Sequence, residues 1–208
     1  MKQFLIDHIE KGISYSEYRN IVRKLVEENS TSGSERTEAM IEFTKLNDSR
    51  MKRWDKTLKV SEGHQSKIKM VDANITWLVI SESWCGDAAH LLPVFNKIAE
   101  LSENIDLKIV FRDENEELMD KFLTNGNRSI PKLIMIDSDH DVITTYGSRP
   151  EVLTNMVSDF KKEHGKLTDE FKQDLQVWYN KDKGQTIIEE LVAVLCRLQP
   201  AICLETEM

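Results

Sequence analysis

The chain has 208 residues, of which 40% are hydrophobic and 31% charged, and it carries a formal net charge of −8. That length buries one core with room for an appended layer, and the negative balance excludes a general nucleic-acid binder. No apolar run approaches the roughly 18 residues of a membrane span. The run from Met1 to His8 is broken by Asp7 and followed by no small-residue cleavage site, so no signal peptide is expected and a cytoplasmic address follows.

Ser14-Tyr15-Ser16-Glu17 reads as a capping box, with Ile13 and Tyr18 placed as a hydrophobic staple, opening a helix to about Asn29. Its apolar positions Tyr18, Ile21, Val22, Leu25 and Val26 recur at helical spacing, and residues 30–34 end it in a loop. A second helix is expected from Glu35 to about Val60, with Met40, Phe43, Leu46, Met51, Trp54 and Leu58 on one inward stripe. Residues 45–69 hold eight Lys and Arg against three acids, which reads first as a solvated face and linker and only then as an anion or partner site.

Ile75 to Ser81 is a strand buried on both faces by its continuous apolar run, and Gly86 to Leu101 is the helix it feeds. Ile105 to Arg112 alternates as a second strand, so the three form a β-α-β unit with a parallel pair. Asn115 to Leu123 reads as a short helix and residues 125–127 as a turn. Lys132 to Ile136 and Val142 to Tyr146 are strands joined by a polar turn suited to a hairpin, and Pro150 opens a helix to about His164. Thr168 caps a further helix carrying Phe171, Leu175, Trp178 and Tyr179. Thr186-Ile187-Ile188-Glu189 reads as another capping box, opening a helix with Ile188, Leu191, Leu195 and Leu198 on one face that Pro200 stops.

Cys85, Cys196 and Cys203 are an odd set without a C-x-x-C pair, expected as free thiols in a reducing compartment. Seven residues span about 10 Å of helix, so Cys196 and Cys203 should not bridge in helical geometry. Cys85 stands where a strand hands over to a helix N-terminus. Unpaired N–H groups and the dipole there favour thiolate, so its pKa is expected below the free value of roughly 8.5. Asp87, a first-turn acid, suits the helix dipole while its charge opposes that ionisation, so the sequence leaves its net effect on Cys85 unsigned. An unreactive cysteine on a scaffold put to other use is the competing reading.

Trp84-Cys85-Gly86-Asp87, Pro93 eight residues after the cysteine, and Ile130-Pro131 together resemble the thioredoxin superfamily. In that family these are the active-site turn, the kink of the active-site helix and a cis-proline beside the thiol. The departures agree with each other: Ala88 stands where the resolving cysteine would be, and Val79 where a buried acid would serve that cysteine. The resemblance is to a bacterial thioredoxin-like group with extra N-terminal helices and Trp-Cys-Gly-Asp motifs. It implies an α/β thioredoxin-like fold, a central mixed sheet flanked by helices, with helical extensions at both ends. The expected division is 1–70, a core at 71–165, and 166–208, packed as one unit.

The resemblance also implies roles. Cys85 is the catalytic candidate, and Trp84, Gly86, Asp87, Ile130 and Pro131 are candidates for substrate binding, the backbone of Ile130 pairing with an extended partner. With Ala88 in place, a mixed disulfide must wait for an outside thiol, or for Cys196 or Cys203. The first functional reading is therefore monothiol disulfide exchange in cell redox homeostasis, with a protein or a low-molecular-weight thiol or disulfide as partner, and no cofactor, metal, nucleic acid or membrane. The alternative is a non-redox thioredoxin-fold binding or adaptor protein. An iron–sulfur cluster shared by Cys85 of two subunits is a remote third. His90 is expected at the surface or supporting the site, and Arg112 in a surface ion pair.

Overall fold

The computed structural model describes residues 1–204. Helix α1 (Lys2–Lys11) leads to α2 (Tyr15–Glu27), which opens with the expected capping box: Ser14 accepts from the Glu17 backbone N–H while the Glu17 side chain accepts from the Ser14 backbone. Then follow α3 (Glu38–Thr57) and α4 (Glu62–Lys69), which the charge pattern of residues 45–69 left as linker. Ser61 accepts from the His64 backbone N–H and starts that extra helix.

At the centre lies β1 (Ile75–Ser81), with β2 (Ile105–Phe111) parallel on one side and β3 (Lys132–Ile136) antiparallel on the other; β4 (Val142–Tyr146) completes the order β2-β1-β3-β4. Helices cover both faces, so β1 has no polar side to show. Trp77, Leu78, Val79 and Ile80 are wholly buried, each contributing about 1.5–3 kcal/mol of transfer free energy. Ile13 exchanges both backbone hydrogen bonds with Ile109 and so covers part of the outer edge of β2.

Helix α5 (Ala88–Ala99) crosses one face, Phe95 meeting Trp77 edge-on at 6.1 Å. A 3-10 turn (Arg112–Glu114) and α6 (Glu116–Lys121) follow β2, then α7 (Glu151–His164), α8 (Asp169–Asp182), α9 (Gln185–Leu198) and α10 (Ala201–Leu204) follow β4. α3 and α9 both pack on α5, and Leu58 and Val94 close on Gly184 from two sides. The extensions therefore rest on the core rather than trailing from it. Among the described residues no helix is long and apolar enough to cross a membrane.

Three expectations need correction. The inward face of α3 is Thr44, Asn47, Met51 and Trp54, whereas Phe43 and Leu46 are 48% and 45% exposed. The helix is turned because polar partners at the end of β1 claim Thr44 and Asn47, as described below. Thr186 does not cap α9: the helix begins at Gln185 after left-handed Gly184, and Thr186 bonds back to Asp182. Cys196 and Cys203 do form a disulfide, with Cα atoms 5.7 Å apart. The straight-helix argument fails because α9 ends at Leu198, and the chain turns back through Gln199 and Pro200 before α10.

Candidate active site

The site is built at the carboxyl end of β1, where Glu82 and Ser83 are buried polar residues with long-range partners. Glu82 accepts from the Ser32 hydroxyl and, at 2.9 Å, from the Asp113 backbone N–H. The Ser83 hydroxyl lies 2.9 Å from Thr44 and 3.2 Å from Thr31, and its carbonyl accepts from Asn47 at 2.9 Å. Each group is a buried donor or acceptor that would cost about 1–3 kcal/mol unpaired. That demand is what points the polar side of α3 inward.

Cys85 follows and is only 7% exposed. Its thiol donates to the Ile130 carbonyl at 3.3 Å, and the Ile130–Pro131 peptide is cis. Against the sequence expectation, the thiol is pushed up to about 12: burial dominates, the Asp87 charge adds to it, and the Ala88 and Asp87 backbone N–H groups and Arg149 pull the other way without prevailing. The helix-terminus effect exists but is the smaller one, because removing a thiolate from water outweighs two amide dipoles. At rest Cys85 is a thiol.

Asp87 is buried and clamped by two residues from beyond β4: Arg149 pairs with it at 2.5 Å and the Tyr179 hydroxyl donates to it at 2.9 Å. Burial pushes its carboxyl above the usual range, opposed by Arg149 and then by Tyr179. His90, expected at the surface or supporting the site, takes the second place and is 1% exposed. It stacks on Tyr179 at 4.2 Å, accepts from the Trp54 indole at Nδ1 (2.9 Å) and meets Gln176 Oε1 at Nε2 (2.8 Å). An indole N–H can only donate, so Nδ1 is the acceptor and Nε2 carries the proton. Burial holds this imidazole neutral, its pKa lowered to about 3.

A prediction follows for acid stability. The folded pKa lies below the free value of 6.5, so the contribution of His90 is whole above pH 6.5 and is lost as pH falls towards 3. Between pH 6 and 5 the unfolding free energy should drop by about 1 kcal/mol per unit through this residue. Urea midpoints for the wild type and His90→Gln check it; equal slopes in the two proteins would refute it.

Trp84 is half-buried, with the Arg112 guanidinium 4.9 Å from its ring and Asp113 pairing Arg112 at 2.8 Å. Arg112 thus makes an ion pair, as expected, and at the same time stands in the wall of the site. Gly33 closes over the indole with φ +92°, its missing Cβ leaving space for Asp113 and the Trp84 Nε1. A surface cavity of about 300 Å³ opens beside this wall, lined in part by Ser34, Met40, Arg112 and Arg128. Gly86 is half-buried beside Arg50 and Gln176.

Of the residues singled out in the sequence, the structure brings Cys85, Asp87 and Ile130-Pro131 together, with Trp84 and Gly86 flanking the cysteine. It keeps the other cysteines away. Gln199, between them, accepts from the Asp72 backbone N–H ahead of β1, whereas Cys85 follows the far end of that strand, about 20 Å along. Arg149, Tyr179, Gln176 and Asn47 were not anticipated, and Arg50 entered only as one of the eight basic residues of 45–69. Arg149 directly precedes Pro150 and Tyr179 read only as a core stripe, so neither carried a signal tying it to Asp87.

No curated protein matches the sequence. Two solved structures resemble the fold: a protein of unknown function from Pseudomonas aeruginosa, with TM-score 0.57 and 15% identity over 90% of this chain and 94% of that one, and an HIV epitope-scaffold, with TM-score 0.54 and 17% identity over 88% and 98%. At those identities they speak for the fold alone. A family model described as Thioredoxin matches residues 33–162. That span takes in Thr44 and Asn47 of α3, the Trp-Cys-Gly-Asp turn, the cis-proline and Arg149, and the chain belongs to the thioredoxin family.

Proposed function

We propose that this chain is a single-cysteine thioredoxin-fold oxidoreductase of the monothiol type, in which Cys85 forms and releases mixed disulfides as part of cytoplasmic redox homeostasis. The observation that carries the reading is the Cys85 sulfur 3.3 Å from the Ile130 carbonyl at the cis-proline. It sets the thiol beside a backbone edge able to pair with an extended partner. In the first step the Cys85 sulfur attacks one sulfur of a disulfide R–S–S–R′; the thiol proton goes to the departing thiolate, leaving Cys85–S–S–R and R′–SH. Ala88 supplies no second thiol and the Cys196–Cys203 pair lies at the other end of β1. Release therefore needs a thiol R″–SH from solution, which attacks the R sulfur of the mixed disulfide; R–S–S–R″ departs and the thiol proton restores Cys85–SH.

The resting thiol makes the first step slow until a bound partner changes the surroundings of Cys85. Incubation with bis(2-hydroxyethyl) disulfide should add one 2-mercaptoethanol unit at Cys85, seen by peptide mass, and excess thiol should remove it. Absence of that adduct, or its persistence in Cys85→Ser, would sink the reading. The burial and protonation of Cys85 favour a second reading, a non-redox binding module, for which partner capture would survive Cys85→Ser.

A further inference from the structure

Two side-chain donors face the space that Gly86 leaves open next to Cys85. A Cβ there would stand 3.6 Å from Arg50 Nη1 and 3.7 Å from Gln176 Nε2, ordinary contact distances, and the glycine leaves that room empty. The orientation of both donors is fixed from behind. Asn47 gives its Nδ2 to the Ser83 carbonyl, which leaves Oδ1 to accept from Arg50 Nη1 at 2.9 Å. On the other wall the Trp54 N–H fixes the His90 tautomer, and the proton on His90 Nε2 claims Gln176 Oε1. The Gln176 amide N–H₂ is thereby turned outward.

Charge runs the same way. Asp87 is engaged by Arg149 and Tyr179, and among the described residues no carboxylate pairs with Arg50. The neighbouring cation is Arg53, whose side chain bonds Asn180. Burial and the like charge of Arg53 hold the Arg50 guanidinium below its usual pKa, although Asp87 acts the other way. A guanidinium and an amide with preset directions, beside a residue that has no side chain, make a receptor for a small planar anion.

We propose that the niche formed by Gly86, Arg50 and Gln176 binds the carboxylate of a low-molecular-weight thiol while its sulfur is joined to Cys85. The inference rests on the exchange reading above and names the substrate class for it. The carboxylate stands within a few bonds of the sulfur, since the niche belongs to the residue next to the cysteine. Net repulsion from a chain of charge −8 opposes any such preference, so a preference that is observed is local.

The test compares 3,3′-dithiodipropionate, which carries carboxylates, with neutral bis(2-hydroxyethyl) disulfide, following the Cys85 adduct by mass on the full chain. The wild type should react about tenfold faster with the carboxylate probe, the size of one charge-assisted contact. The ratio should fall to near parity in Arg50→Gln and in Gly86→Ala, whose Cβ fits but fills the niche. Parity in the wild type, or a ratio unchanged in both variants, overturns the proposal. A preference seen only between a cysteine peptide with a neighbouring aspartate and its asparagine analogue overturns the small-thiol assignment. If neither small probe reacts, the exchange reading fails by itself. The niche is then judged in Cys85→Ser, where propionate should shift the Gly86 amide resonance and Arg50→Gln should abolish the shift; no shift overturns it.

Discussion

Asp87→Asn is expected to bring the midpoint of Cys85 alkylation down from about 12 by about one to two pH units. Asparagine keeps one acceptor oxygen for Arg149, and its Nδ2 can donate to the Tyr179 hydroxyl, which also accepts, so the clamp retains its shape. What it loses is the negative charge beside the sulfur, and the Arg149 cation then acts on the thiol without its counter-ion. Iodoacetamide rates across a pH series, read at Cys85 by mass, supply the midpoint. If it does not move, burial alone holds the proton and Asp87 has no hold on the thiol. The same residue enters the alkaline stability of the chain. The folded thiol keeps its proton to higher pH than a free thiol does, so its contribution is complete below the free value and is lost as pH climbs towards 12. Asp87→Asn should narrow that window from above.

Gly147→Ala should cost about 2–4 kcal/mol of stability and loosen the thiol's surroundings as well. Gly147 has φ +103°, and a Cβ on it would lie 2.5 Å from the Pro131 carbonyl oxygen, a backbone atom that cannot swing away. Next to it, Tyr146 pairs with Leu133 across the β3–β4 ladder, so the segment cannot retreat without breaking that register. The strain is relieved by pushing on Pro131, whose other neighbour is the Ile130 carbonyl that holds the Cys85 proton. Urea unfolding measures the first effect and the Cys85 alkylation rate at fixed pH, expected to rise, measures the second. A stability change within about 0.5 kcal/mol, the range of an ordinary surface substitution, would show that the contact is not tight.

Much of the fold could be read from local pattern. The continuous apolar run of β1, the alternation of β2 and the polar turn between β3 and β4 each carry their own periodicity, and the Ser14 capping box declares a helix start within four residues. The reading failed where a residue's environment is supplied from far away. Phe43 and Leu46 suit an inward stripe by spacing, yet buried Ser83 needs Thr44 and Asn47, and no window of helix sequence contains that demand. The same holds for Cys85. Its place at a helix N-terminus is legible, whereas the burial that reverses its expected shift comes from packing around the whole turn. Arg149 and Tyr179 reach Asp87 across 62 and 92 positions of sequence, and the niche donors Arg50 and Gln176 lie on helices before and after the core. Cys196 and Cys203 were misjudged for a simpler reason: the turn at Gln199 and Pro200 ends the helix between them.

The bonds that tie the end of β1 to the loop before α3 also bear on the order in which the molecule assembles. Ser32 reaches Glu82 and Ser83, and Thr31 reaches Ser83, over separations of 50 to 52 residues. Closing a chain over such spans costs more entropy than forming a helix turn or a hairpin. The β3–β4 ladder and the helix turns can form from near neighbours, but the polar surroundings of the motif wait for a segment made half a hundred residues earlier to return. The chemical neighbourhood of the cysteine is thus complete only when the N-terminal helices have found their place.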